Sequence, residues 1–302
     1  MTMNPNSWSI FTEFEPGFSW IMAVFKKYIS SDYLHFMGCL FVAYMVGICF
    51  HIKTESRNWI LALFFFIILR YYSISFNIMR QTFALSLFCF VFPLSNNKNK
   101  IVIYELLVLF LTFYFHRSMI VLTIIPFLNY EYVNRYFCNR KIVYVILLVS
   151  YACVFLSSLL YKLIPFLVSS LSLLGSRYTT YLGMSNEAET TVSVLSSFLN
   201  TAFCFFITYI TTSKQRTNIF FKILIVGTVL SNTLGALSDL FLRISTNLLF
   251  FQIVFYTNLW YDVAPKYRKL FRIAVILYCT ITYVNAILKN FGLIVPYENQ
   301  LF

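Results

Sequence analysis

Charged residues are scarce in this sequence, and so are the residues that mark several common protein classes. Only 11% of the 302 residues are charged, against about 25% in an ordinary soluble domain. With eight glycines and seven prolines, the chain is neither collagen-like nor disordered. Its seven scattered cysteines give no disulfide framework. These shortages exclude the soluble, fibrous and disulfide-stabilised classes.

Several sequence motifs of catalysis and cofactor binding are missing as well. The three aspartates form no Asp-x-Asp pair of the kind that binds a metal diphosphate, and no His, Cys and carboxylate cluster has metal-ligand spacing. No glycine-rich loop has the pattern that cradles a nucleotide. We therefore expect no metal and no organic cofactor.

Apolar residues dominate what remains. They make up 60% of the chain, and the mean hydropathy is +0.75. Apolar runs of roughly 17 to 25 residues cross a bilayer as helices. The sequence predicts an all-α, polytopic integral membrane bundle of about ten transmembrane helices, forming a single domain over residues 1–302. The approximate limits of the helices are 33–50, 58–72, 77–94, 101–115, 117–129, 142–163, 192–212, 219–237, 244–262 and 271–290.

The basic residues orient this bundle. If 58–94 and 101–129 are both helical hairpins, one side of the membrane holds 14 of the 23 Lys and Arg residues. The positive-inside rule makes that side the cytoplasm, so this charge indicates orientation and not nucleic-acid binding. Both termini are then outside. The cytoplasmic loops would be 51–57, 95–100, 130–141, 213–222 and 262–272.

Two further elements are expected on the outer side. The segment that begins Glu15-Pro16-Gly17-Phe18 continues into an apolar run that ends before Lys26 and Lys27. This pattern is typical of an amphipathic helix that lies at the interface, with proline at its first position. A large outer loop is expected at about 164–191.

A polar stripe in the third span is the sharpest local signal. Asn77, Arg80, Gln81 and Ala84 follow the spacing i, i+3, i+4 and i+7, which places them on one helix face. An arginine inside a span costs about 2.5 to 3.5 kcal/mol on insertion scales, so it normally faces a bundle interior or a wet cavity. Arg80 is therefore a candidate for binding a ligand, although helix-end carbonyls could also satisfy it.

Neighbouring short spans carry more polar residues. The spans around Arg70, Arg80, His116 and Arg117 are shorter than the hydrocarbon is thick, so these residues could line an outward-facing cavity. His116 could serve there as a general base, as a substrate contact or as a plain hydrogen-bonding residue.

Two other arginines face the same side. Arg243 heads the ninth span and could bind the same ligand or join an interfacial ion pair. Arg177 and Tyr178, in the outer loop, could close over a ligand or remain exposed. Clustered guanidinium groups bind phosphate through paired hydrogen bonds. The expected ligand is therefore an anionic lipid head group, and above all a diphosphate.

Five features of the chain resemble a known family. They are Glu15-Pro16-Gly17-Phe18, Asn77-Ile78-Met79-Arg80-Gln81-Thr82-Phe83-Ala84, Phe115-His116-Arg117-Ser118, Arg243 before a late span, and Val295-Pro296-Tyr297. In this order, over nearly the whole chain, the sequence resembles the EpsG-like polysaccharide polymerases, which are related to the Wzy O-antigen polymerases.

The resemblance implies a glycosyltransferase of the bacterial inner membrane. Such an enzyme joins undecaprenyl-diphosphate-linked oligosaccharide repeat units on the periplasmic side, among membrane lipids, and could work with a chain-length regulator and a flippase of the same pathway. A flippase or transporter of lipid-linked oligosaccharides and an O-antigen ligase remain alternatives. The residue types suggest two catalytic residues, His116 and Arg80. The suggested substrate-binding residues are Arg70, Asn77, Gln81, Arg117, Arg177, Tyr178 and Arg243.

Overall fold

The fold is all-helical, as the sequence predicts. The structure, a computed structural model, describes residues 15–156, 194–235 and 239–288. Every regular element within those ranges is a helix. The chain divides into two compact units, one formed by residues 1–127 with 283–302 and the other by residues 128–282. The predicted outer loop at 164–191 lies outside the described residues.

The first unit consists of six α-helices joined by short polar connections. Helix starts follow the sequence: Pro16 occupies the first position of its helix, and Asp32 and Asn58 accept backbone N–H bonds as N-caps. Short 3-10 helices lie at 92–96, 98–100, 117–124 and 126–129. The α-helices are α1 (Pro16–Tyr28), α2 (Tyr33–Glu55), α3 (Trp59–Ile68), α4 (Tyr71–Asn77), α5 (Met79–Val91) and α6 (Ile101–Tyr114).

The second unit contains the remaining described helices, except that the last turns of the final helix, from residue 283 on, belong to the first unit. Its centre is a polar junction, where the buried Asn232 side chain donates to Ser150 Oγ at 3.2 Å and to Thr201 Oγ1 at 2.9 Å. Such bonds tie apolar helices together. The helices are α7 (Glu131–Cys138), α8 (Arg140–Phe155), α9 (Val194–Ile210), α10 (Ser213–Arg216), α11 (Ile219–Thr233), α12 (Asp239–Leu249), α13 (Gln252–Asp262) and α14 (Pro265–Leu288).

Fewer helices are long enough to cross a membrane than the sequence predicts. Among the described residues, α2 and α14 alone are long and apolar enough by themselves. Two bent pairs also qualify if each is one span: α3 with α4, bent by 53°, and α7 with α8, bent by 86°. The count is therefore two to four candidate spans, and the ten predicted spans are not confirmed.

The difference arises because several predicted spans are interrupted. The chain breaks at Arg70, between α3 and α4, and again at Ile78, between α4 and α5. The segment predicted to span 117–129 forms two 3-10 helices, the second of which starts at Pro126, a residue without a backbone N–H. The span predicted at 244–262 is divided between α12 and α13.

Two cations of the second unit are buried against helix ends. The Arg216 guanidinium donates to the carbonyls of Phe137 and Cys138, the last two residues of α7, at 3.2 and 2.6 Å. The Lys222 ammonium donates to the Leu128 carbonyl at 2.5 Å and to Asn134 Oδ1 at 2.8 Å. Carbonyl groups at helix C-terminal ends carry partial negative charge, so these two basic residues are structural.

Helices α2 and α5 approach each other closely through a glycine. A Cβ atom added at Gly47 would collide with the backbone carbonyl of Ser86, whereas one added at Gly38, on the same helix, would meet nothing within 4 Å. The contact brings α5 against α2 and so fixes the helix that carries Arg80.

This difference predicts opposite effects of alanine at the two glycines. Gly47→Ala should lower the free energy of unfolding by about 1 to 3 kcal/mol, because α2 and α5 must separate. Gly38→Ala should leave it unchanged or raise it by up to about 1 kcal/mol, since alanine favours the helix. Thermal unfolding of the two proteins in detergent measures both, and equal shifts would contradict the close contact.

Candidate functional site

The start of α1 is docked on the end of α6. A Cβ atom at Gly17 would lie 2.7 Å from the Tyr114 carbonyl oxygen, so glycine is required there. The next residue, Phe18, is buried, and its ring lies 6.0 Å from that of Phe36. Pro16 begins the helix just before these contacts. The segment that the sequence assigns to the membrane interface is therefore packed into the unit.

Docking of α1 brings a carboxylate to Arg80. Glu15 Oε2 lies 2.7 Å from Arg80 Nη1, although the two residues are 65 positions apart. The Glu15 side chain is 16% exposed and the Arg80 side chain 34%. An ion pair withdrawn from water to this extent is held more firmly than one on an open surface.

His116 belongs to the same end of the unit as Arg80. Arg80 lies in the first turn of α5, and His116 follows the end of α6, which packs against α5 and follows it in the chain. One turn beyond Arg80, the Phe83 ring lies 5.9 Å from that of Phe115. The structure therefore brings together the three segments that contain Glu15, Arg80 and His116.

The imidazole of His116 contacts Ser118 through Nδ1. That nitrogen lies 2.7 Å from Ser118 Oγ and 3.3 Å from the Ser118 backbone nitrogen. With its proton on Nε2, the neutral ring accepts at Nδ1 and caps the following 3-10 helix. With the proton on Nδ1, donated to Ser118 Oγ, Nε2 would have the lone pair that a general base needs.

Arg70 adopts a conformation that is unusual for an arginine. Its φ is 70°, and among the described residues it is the one non-glycine residue with positive φ. It caps α4 at the bend from α3. A left-handed conformation at a residue with a Cβ costs roughly 1 to 2 kcal/mol and is common where a functional site imposes it.

The other predicted site residues lie on several elements. Asn77 ends α4 and is exposed, so the break at Ile78 removes it from the helix that carries Arg80; the predicted continuous stripe is divided. Gln81 is buried and Arg117 half-buried. Arg243 is exposed on α12 of the second unit. Arg177 and Tyr178 lie outside the described residues.

Sequence reasoning missed Glu15 as a site residue. Its segment was recognised as part of the family resemblance, but no local spacing connects position 15 with position 80. The signal that could have found it is charge. An arginine in an apolar helix needs an anionic partner, and the chain has only 11 Asp and Glu residues from which to choose one.

The wet cavity expected around the arginines stays a prediction. Two open apolar grooves occur in the first unit, one between α1 and α2 and the other between α2 and α3, and the predicted site residues line neither. Within the described ranges, no three His, Cys, Asp or Glu side chains are grouped as metal ligands.

The conformation of Arg70 predicts that glycine is the better replacement there. Arg70→Gly should unfold at a higher temperature than Arg70→Ala, by the equivalent of about 1 kcal/mol, because glycine adopts positive φ without strain. At Arg135, an exposed residue of α7, the alanine variant should instead unfold at the higher temperature, since glycine weakens a helix relative to alanine. An Arg70→Ala protein as stable as Arg70→Gly would contradict the strain.

Comparison with known proteins gives one match. A family model described as the EpsG family matches residues 2–299, nearly the entire chain. No curated protein and no solved structure matches significantly. The matched region includes all the segments that meet around Arg80. The chain therefore belongs to the EpsG family, whose members are membrane proteins associated with polysaccharide polymerisation.

Proposed function

We propose that the protein is a polysaccharide (O-antigen) polymerase. It would join undecaprenyl-diphosphate-linked oligosaccharide repeat units on the periplasmic side of the bacterial inner membrane. Family membership supports the reaction class, and the placement of Arg80 supports a lipid diphosphate as the group that is bound.

The position of Arg80 on its helix carries this proposal. Arg216 binds carbonyls at the C-terminal end of α7, where the helix field favours a cation, whereas Lys222 binds the Leu128 carbonyl and the Asn134 side chain. Arg80 lies near an N-terminal end instead, in the first turn of α5, and the N-cap residue Ile78 makes no side-chain capping bond. The N-terminal end of a helix attracts anions, so the helix end and the guanidinium of Arg80 favour the same ligand.

The chemistry required is a displacement at the anomeric carbon of the donor. A hydroxyl oxygen of the acceptor sugar forms a bond to that carbon, and the bond from the carbon to the lipid diphosphate breaks. The electron pair leaves with the diphosphate, which gains negative charge as it departs. Arg80 would stabilise that charge more strongly in the transition state than in the bound donor, and this difference accelerates the reaction.

His116 is the proposed base for the hydroxyl proton. In the arrangement that a base needs, Nδ1 donates to Ser118 Oγ and gives up the bond that it accepts from the Ser118 backbone N–H, and Nε2 takes the proton. Ser118 Oγ would then orient the ring. The remaining predicted residues have less specific roles in substrate binding. Arg70, Asn77, Gln81, Arg117 and Arg243 would contact diphosphate or sugar, and Arg177 with Tyr178 would close the outer loop.

Deletion of the gene tests the function. A polymerase predicts that surface polysaccharide, separated on a gel, loses its ladder of chain lengths while a single capped repeat remains. A flippase or a ligase predicts loss of the single capped repeat as well. An unchanged ladder would contradict all three functions.

The Arg80→Lys protein should behave like the deletion. Lysine keeps the charge but not the two parallel hydrogen bonds to phosphate, and we expect polymerisation to fall by about a hundredfold. Arg135→Lys, at an exposed arginine that pairs with Glu131, is the matched control and should give a normal ladder. Full-length chains in the Arg80→Lys strain, with the protein present at its normal level in the membrane, would remove Arg80 from the site.

A further inference from the structure

We propose that Glu15 is a positioning residue for this reaction. Its carboxylate holds the Arg80 guanidinium in the orientation in which the guanidinium binds the donor diphosphate. The role rests on the proposed function, because it acts through the arginine that would bind the donor. The observation behind it is the 2.7 Å ion pair between Glu15 Oε2 and Arg80 Nη1.

The ion pair is built unlike the exposed pair of Glu131 and Arg135. Glu131 and Arg135 are one helical turn apart, 3.1 Å from each other and about four-fifths exposed, at 83% and 79%. Such a pair forms and breaks freely in water. Glu15 and Arg80 come from distant segments, and the carboxylate is mostly shielded from water. Shielding strengthens the attraction and limits the directions in which the guanidinium can point.

The segment around Glu15 is fixed by its own packing. Pro16 has a fixed φ and restricts the backbone of Glu15, the residue before it. Gly17 lies against the Tyr114 backbone, and Phe18 is buried. Three consecutive residues therefore immobilise the chain immediately after the carboxylate. An orienting group is most effective when its own freedom has already been lost in folding.

Apolar packing also fixes α5, the helix that carries Arg80, independently of the ion pair. Phe83, one turn along α5 from Arg80, belongs to the same buried cluster as Phe18 and Phe25 of α1. Met79 and Phe115 pack against that cluster. Because α1 and α5 are joined by these contacts, the ion pair is not needed to hold the helices together. What it adds is the direction of the guanidinium.

Geometry also separates this role from that of a base. In a single displacement, the attacking hydroxyl approaches the anomeric carbon from the face opposite the leaving group. A carboxylate that touches the arginine of the leaving group lies on the leaving-group side, so it is badly placed to take the hydroxyl proton. Glu15 therefore acts through Arg80, while proton transfer belongs to a group on the other face.

The test uses Glu15→Gln, which keeps the size of the side chain and removes its charge. Lipid-linked repeat units extracted from the deletion strain serve as substrate for the purified full-length protein in detergent. We expect kcat per folded molecule to fall about ten- to a hundredfold with little change in KM, because a misdirected guanidinium loses transition-state stabilisation. Glu15→Asp, which keeps the charge on a shorter side chain, should be intermediate.

Controls separate positioning from structure. Glu131→Gln removes the exposed ion pair and should leave kcat, KM and the unfolding temperature unchanged. If Glu15→Gln lowers the unfolding temperature while kcat per folded molecule stays at the wild-type value, the ion pair is structural and the inference is wrong. If Glu15→Gln does not fold, Glu15→Asp decides: wild-type kcat in that protein would contradict the inference, and reduced kcat with unchanged KM would support it.

The same assay distinguishes failure of the inference from failure of the proposed function. Wild-type protein that does not lengthen the extracted units contradicts the function itself. Loss of polymerisation in Arg80→Lys together with normal kcat in Glu15→Gln contradicts the positioning role alone.

Discussion

A guanidinium group among phenylalanine rings must keep an anionic or carbonyl partner, and Arg80 has the carboxylate of Glu15. Packing in the first unit meets this requirement. The carboxylate reaches Arg80 because α1 is docked, and α1 is docked because Gly17 leaves room for the Tyr114 backbone and Phe18 fills the cluster below. Each residue of the Glu-Pro-Gly-Phe segment therefore has its own contact or position: Glu15 pairs with Arg80, Pro16 begins α1, Gly17 allows the close approach to Tyr114, and Phe18 is buried.

Positive charge has different partners in the two units. In the second unit, Arg216 and Lys222 are satisfied by neutral carbonyls of the protein itself, which no ligand replaces without unfolding a helix end. In the first unit, Arg80 pairs with a side chain at a helix start, where the field of the helix opposes a cation. Its partner Glu15 is a charged side chain from a distant segment and not a backbone carbonyl.

The sequence predicted the helical class and came within about three residues of both ends of α5, α6 and α9. It did not predict the breaks at Arg70 and Ile78, because the run from 59 to 91 contains neither proline nor glycine, the usual signals of interruption. It also left Glu15 out of the site. Glu15 reaches Arg80 through a contact between distant segments, which local periodicity does not encode.

Helix length explains how such a site could lie below the membrane surface. Helices α5 and α6 have 13 and 14 residues, or about 20 Å each, whereas the hydrocarbon is about 30 Å thick. Lys98 and Lys100, in the connection between them, favour contact with water or head groups at one surface. If the pair were inserted from that surface, the opposite ends, where Arg80 and His116 lie, would fall short of the other surface. A lipid-linked substrate would present its diphosphate near that depth, so short helices would place the arginine where the bond breaks.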